Sequence, residues 1–271
     1  MLTLYEFGNS VCCQKVRLTL NLKGLDWSSV QVNLFKSEQY DQKYLKLNPK
    51  GVVPTLLHED RAIVESTLIC EYLDEFFPQN KLVPDDPYLK AQMRLWSKMV
   101  DEGLHEGISE ISFSAMFREK MKHMSEEQRE IRFRNVGDPK RYDRFKSTYD
   151  LGVNSRFVIY AIAAYEKAFS QLEKSLSDEK SWILGDHFSL ADINLIPYVA
   201  RLNYLQLLQI WIKDRPFIQS WWKRVQLIPE FSTSISNPML DSELEDMKYF
   251  GNLIAPAILK LRDELSSAQK L

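Results

Sequence analysis

"LTLYEFGNSVCCQKVRLTL", residues 2–20, changes its period halfway along. Residues 2–7 alternate and carry two aromatic rings, the pattern of a half-buried strand. From Cys13 to Lys23 the apolar positions Cys13, Val16 and Leu20 fall on one helical face, and Gly24 supplies a stop. The turn between them, "GNSVCC" (8–13), holds two of the chain's three cysteines. Groups in such a turn stand at a helix N-terminus, where N–H groups and the dipole stabilise anions and depress a thiol's pKa.

Outward from this unit, the first 78 residues read as mixed α/β. "WSSVQVNL" (27–34) returns to strand periodicity, and "VPTLLHEDRAIVES" (53–66) reads as two short strands joined by a "HEDR" turn. Ile69, Tyr72, Leu73 and Phe76 then mark a helix that ends before Pro78. That order predicts a small mixed sheet covered by helices. "PQNKLVPDDP" (78–87), with three prolines, is a linker. Beyond it strand signals nearly vanish, and helical patterns occupy 88–117, 155–177, 190–210 and 215–227. The expected division is therefore an α/β domain over 1–79 and an all-helical domain over 88–271. Residues 118–150 mix charges of both signs and are broken at Gly137-Asp138-Pro139, which suits a solvated helical excursion better than a binding arm. The extension 230–271 reads as helical, and its position is left open.

Charge and composition exclude several classes. With 35 basic against 37 acidic residues, the chain has no global field for nucleic acid or an anionic membrane. No run approaches the ~18 apolar residues of a membrane span. An odd cysteine count argues against a secreted disulfide scaffold, and the first residues enter a strand pattern without a basic leader, so a reducing cytoplasm is expected. His58, His105, His123 and His187 show no metal-ligand spacing, and the nine glycines form no phosphate loop.

Four motifs carry the remaining chemistry. In "NPKGVVPTL" (48–56), Val53-Pro54 precedes a strand. Only ~5% of such bonds are cis, so an edge proline is the plain reading, whereas a cis bond would free Val53's N–H and C=O for an extended peptide-like ligand. In "VESTLICEYL" (64–73), Glu65 and Ser66 open a helix, either as ordinary caps or as a carboxylate and a hydroxyl that hold a ligand's ammonium and carboxylate. "FSLADI" (188–193) is a capping box, with Ser189 and Asp192 as its polar pair and Phe188 and Ile193 as a staple. In "SVCC" (10–13) the C-x-x-C spacing survives with Ser10 in the first place, so the redox thiol is missing. The vicinal pair Cys12-Cys13 is a poor disulfide, and Ser10 suits donation to another molecule's thiolate.

Together, in this order and spacing, these motifs resemble the glutathione transferase superfamily over essentially the whole chain. The resemblance implies a thioredoxin-like N-terminal domain and an all-α C-terminal domain. It also implies glutathione as co-substrate, a hydrophobic electrophile as second substrate and a homodimer. "NPKGVVPTL" is similar to the family's cis-proline loop, so Val53-Pro54 is expected cis with Val53 pairing to glutathione. "ES" at 65–66 is similar to the γ-glutamyl site, where Ser66 is expected to cap and to bind. "NSVCCQKVRL" resembles the zeta-class and reductive-dehalogenase pattern, in which Ser10 faces the glutathione sulfur and Cys12 resolves a glutathionyl adduct. "AIVESTLICEYLDEFFP" and "DDPYLKAQMRLWSKMVDE" are similar to bacterial β-aryl-etherase-type transferases. The implied activity is thiol activation for conjugation, ether cleavage or dehalogenation; a non-catalytic binding protein of the same fold and a glutathione-dependent isomerase are the alternatives. Val52 stands where many relatives carry Lys or Gln, and Cys13 where most carry Ser or Ala. Trp96, Phe113 and Phe117 are candidate members of an apolar substrate wall.

Overall fold

The computed structural model describes residues 1–134, 139–177 and 180–268. A four-stranded sheet forms from β1 (Leu2–Glu6), β2 (Trp27–Gln31), β3 (Thr55–His58) and β4 (Arg61–Val64), in the order β2-β1-β3-β4. β1 runs parallel to β2 across the crossover helix α1 (Val11–Leu22); β3 and β4 join antiparallel. A short α2 (Gln42–Leu45) precedes β3, and α3 (Ser66–Phe76) follows β4. The expected strands and helices of this half are all present. β2 stops at Gln31, earlier than its pattern suggested, and the hairpin turn places Glu59 at φ 55°.

Helices make up nearly all of the remainder: α4 (Pro87–Met99), α5 (His105–Ser112), α6 (Arg118–Lys122), α7 (Glu126–Arg134), α8 (Pro139–Leu151) and α9 (Arg156–Ser175) come first. Then follow α10 (Leu190–Tyr204), α11 (Gln209–Ile212), α12 (Pro216–Gln226), α13 (Glu230–Ser234) and α14 (Asp241–Ala268). Between α4 and α6 the helical run passes through two π-helical turns, Val100–Leu104 and Phe113–Phe117. The described residues add two isolated bridges and no further strand. No helix among them is long and apolar enough to cross a membrane, and no group of His, Cys, Asp or Glu could hold a metal.

By packing, the chain forms two units. The first holds Met1–Lys98, Leu176–Pro197 and Ser220–Leu240; the second holds Met99–Ser175, Tyr198–Gln219 and Asp241–Leu271. The extension thus divides: residues up to Leu240 join the sheet's unit, and α14 joins the helical one.

In the first unit, α1 is buried along more than its apolar stripe, since Gln14, Lys15, Arg17 and Thr19 are buried too. Most of these polar groups find partners, as desolvation demands. Lys15 Nζ donates to Thr67 Oγ1 at 2.8 Å, and Thr19 Oγ1 donates to Cys70 Sγ at 3.1 Å. Lys23 pairs with Asp74 at 2.7 Å, and that carboxylate also accepts the N–H groups of Leu82 and Val83, which ties the linker down. The capping box forms as expected. Asp192, fully buried, accepts the Ser189 N–H at 3.1 Å and Ser189 Oγ accepts the Ala191 N–H at 3.3 Å. Asp192 also takes the Ile183 N–H and Trp221 Nε1, so the box anchors two further segments. Phe188 packs edge-on against Trp182.

In the second unit, α5 packs so tightly on α9 that a Cβ at Gly107 would meet that of Ala161 at 3.1 Å. Glu166 of α9 binds Arg215 and Arg262, holding α14. The described part of 118–150 is mostly helical, but it is more than a solvated surface: Phe133, Met121 and Phe113 are buried beneath Phe117, Met124, Tyr142, Phe145 and Tyr149. An aromatic cluster therefore underlies this charge-rich stretch. The Gly137-Asp138 part of the expected break lies outside the described residues.

Candidate active site

The sheet's register decides what comes together. Tyr5 of β1 pairs with Thr55 of β3, and Thr55 pairs with Val64 of β4. The turn after β1, the segment before β3 and the residues after β4 therefore emerge at one end of the sheet. That end carries Ser10 and Cys12, Val53 and Pro54, and Glu65 and Ser66.

Ser10 is the N-cap of α1, with φ −87° and ψ 121°. Its hydroxyl accepts the Cys13 N–H at 3.4 Å, a long bond that leaves the O–H free to donate elsewhere. The three cysteines form no disulfide. Cys12 is half-buried, whereas Cys13 is fully buried among Val32, Tyr44 and Val53. Burial pushes the Cys13 thiol up to about 12 despite the opposing charge of Arg17. Cys13 is thus a small core residue, whereas Ser10 and Cys12 are half-buried in the turn.

Val53-Pro54 is cis, as the motif implied. Among the described residues, neither the N–H nor the C=O of Val53 is hydrogen-bonded. The preceding carbonyl is firmly held: Tyr44 Oη donates to Val52 O at 2.6 Å, and Asn48 Nδ2 donates to it at 2.8 Å. Tyr44 and Asn48 both reach Thr55 Oγ1 as well. Val52 therefore contributes through its backbone, and the loop is fixed without a Lys or Gln side chain. Gly51, at φ 59°, permits the turn, and Asn48 Oδ1 accepts the Lys50 N–H inside it.

At the start of α3 the expected cap is absent. The N-cap position belongs to Glu65, whose side chain makes no cap hydrogen bond; Ser66 is the helix's first residue, 8% exposed. Glu65 sits at φ 70°, a region costly for a side chain with a Cβ, and such strain concentrates at ligand sites. Its carboxylate meets Lys50 Nζ at 2.6 Å in the open. The Lys15–Thr67 bond links this helix start to α1.

Tyr44, Asn48, Lys50 and Lys15 were missed by the sequence reading. The N-P-x-G turn was a usable signal for Asn48; the others act across 8 to 52 residues of chain and left none. Of the suggested apolar wall, Trp96 and Phe113 are 3% and 7% exposed, and Phe117 is half-buried against the cluster that holds Phe113.

Comparison with known proteins gives the family. Residues 4–81 match the glutathione S-transferase N-terminal domain and residues 129–224 the C-terminal domain. Protein LigF of Sphingobium sp. strain SYK-6 is 34% identical over 195 residues, covering 71% of this chain and 75% of that protein. The crystal structure of β-etherase LigF superposes with a TM-score of 0.75 at 30% identity, over 86% of this chain and 98% of that one. The tetrachloro-p-hydroquinone reductive dehalogenase of Sphingobium chlorophenolicum is 28% identical, over 86% of this chain and 94% of that protein. The chain belongs to the glutathione S-transferase family, enzymes that take glutathione as co-substrate.

Proposed function

We propose that the chain activates the glutathione thiol for attack on an aryl ether, releasing a phenol. The observation that carries this reading is the register that brings Ser10, Val53-Pro54 and Glu65-Ser66 to one end of the sheet. Glutathione's cysteinyl backbone pairs with the unoccupied N–H and C=O of Val53 beside Pro54. Its γ-glutamyl carboxylate sits on Ser66 and the N–H groups of α3, and its ammonium displaces Lys50 from Glu65. The sulfur then faces the Ser10 hydroxyl. A depression of the thiol pKa by two units needs ~2.7 kcal/mol, within reach of a hydroxyl and aligned helix N–H groups. The thiolate attacks the ether carbon, a C–S bond forms, the C–O bond breaks, and the phenolate leaves with a proton from solvent. The choice of an ether rests on the likeness to LigF. The protein is read as a cytoplasmic homodimer, with residues 1–79 as the glutathione-binding domain and 88–271 as the helical one. A role in detoxification follows from the same reading.

A second reading is favoured by the half-buried Cys12 beside Ser10. In a reductive displacement, glutathione first replaces the halide, and the Cys12 thiolate then attacks the thioether sulfur. The Cys12–glutathione S–S bond forms, the C–S bond breaks, the ring carbon takes the electron pair and a proton, and a second glutathione thiolate releases Cys12 as it forms glutathione disulfide. Incubation with glutathione and a β-aryl ether, with products identified by mass, tests the proposal. The expected products are a glutathione thioether and a phenol in equal amounts, undiminished in Cys12→Ser. An accumulating adduct in Cys12→Ser, with halogenated hydroquinone as the better substrate, would replace the first reading with the second.

A further inference from the structure

The chain after residue 224, where the C-terminal family match ends, comes back to α1. Residues 231–239 lie along that helix as a strap. Gln14 Nε2 donates to Ile235 O at 3.1 Å and to Met239 Sδ at 3.6 Å. Arg17 Nε donates to Ser234 O at 2.8 Å, and Asn21 Nδ2 donates to Ser234 Oγ at 2.8 Å. The strap also touches the turn before the helix: a Cβ on Gly8 would collide with the Pro238 carbonyl oxygen.

Arg17 joins these contacts into one device. Its guanidinium, 2% exposed, donates to Gly8 O at 2.7 Å and pairs with the Glu6 carboxylate while it holds the strap. Glu6 is itself fixed by Ser29 Oγ at 2.7 Å. A planar fork with several donors fits this three-way task, which an ammonium would not. Ser10 needs such support. Its backbone is held by its own N–H to Phe7 O at 3.0 Å and by the Gln14 N–H to its C=O at 2.9 Å, whereas its hydroxyl is held by the long contact from the Cys13 N–H. A donor contributes to thiolate stabilisation only when its position is set in advance.

We infer that the strap 231–239 positions the thiol-activating turn, and that Arg17 is the positioning residue that transmits its grip to Gly8 and thence to Ser10. The inference rests on the proposed role of Ser10. Three full-length variants test it beside wild type and Ser10→Ala: Arg17→Lys, Gly8→Ala and Gln14→Met. The last loosens the strap while leaving both the turn and Arg17 intact. For each, the ultraviolet thiolate band of bound glutathione is titrated against pH, and the affinity for S-methylglutathione, which has no thiol, is measured.

The expected result is a bound-thiol pKa raised by about one unit, a tenfold loss of thiolate near neutrality, in Arg17→Lys and Gly8→Ala. A smaller rise in the same direction is expected for Gln14→Met, with S-methylglutathione affinity unchanged throughout. Wild-type titration curves in folded Arg17→Lys and Gln14→Met, beside a Ser10→Ala that loses the thiolate, would overturn the inference alone. So would a parallel fall in S-methylglutathione affinity, which marks general loosening. If Ser10→Ala keeps the thiolate, the role of Ser10 fails and the inference falls with it. Should Gly8→Ala not fold, Gln14→Met carries the test.

Discussion

The starts of α10 and α3 lie in the same unit and are finished in opposite ways. At α10, Ser189 and Asp192 satisfy each other and the nearby N–H groups, and Asp192 draws in Trp221 and Ile183 besides. At α3, Glu65 adopts φ 70° and makes no cap bond, its carboxylate turned instead to an exposed Lys50. A helix start that organises the fold consumes its own donors. On the proposed reading the start of α3 holds a ligand and keeps its donors available, with the strained Glu65 backbone as the cost.

The sharpest break in this contrast is Asp192→Ala. It orphans buried donors on three segments and is expected to cost about 3–5 kcal/mol in chemical denaturation, while the folded fraction still binds glutathione normally. Ser66→Ala should do the reverse, with about tenfold weaker glutathione binding, or ~1.4 kcal/mol, in a calorimetric titration and little change in stability. Glu65→Gly relieves the positive φ; a gain of about 1 kcal/mol in stability is expected together with weaker binding, since strain and function reside in the same residue. The smallest effect concerns Cys13. Its raised pKa means the folded state retains a proton the unfolded chain releases, so the stability it contributes is complete below about 8.5. It is then lost as pH rises towards about 12. Cys13→Ala should flatten that alkaline limb, by less than about 1 kcal/mol at pH 9. In the folded protein, a thiol reagent at that pH should label Cys12 and spare Cys13.

What the sequence revealed depended on how local the physics was. The strand-to-helix change at 2–20, the hairpin at 53–66 and the capping box at 188–193 are each set by neighbours within one turn or one strand, and all three form. The proline at 54 was different: local chemistry favoured a trans edge residue, and only the combination of motifs pointed to the cis bond. The buried polar face of α1 was illegible, because Arg17 finds Ser234 across 217 residues and Lys15 finds Thr67 across 52. The aromatic core of the excursion was hidden for the same reason. Phe113, Phe133 and Phe145 lie on separate helices, and charge density masked their periodicity. The Ser66 cap failed because its amphipathic pattern placed the helix correctly but could not show that Glu65 precedes it with φ 70°.

The open end of the sheet is proposed to bind glutathione as a thiolate stabilised by Ser10. This role is tested most directly by titrating glutathione at neutral pH and following the ultraviolet thiolate band in wild type, Ser10→Ala and Ser66→Ala. The expected result is a saturating signal in wild type, the same saturation at higher glutathione in Ser66→Ala, and binding without the thiolate signal in Ser10→Ala. A thiolate signal that persists undiminished in Ser10→Ala, or an affinity indifferent to Ser66, would contradict it.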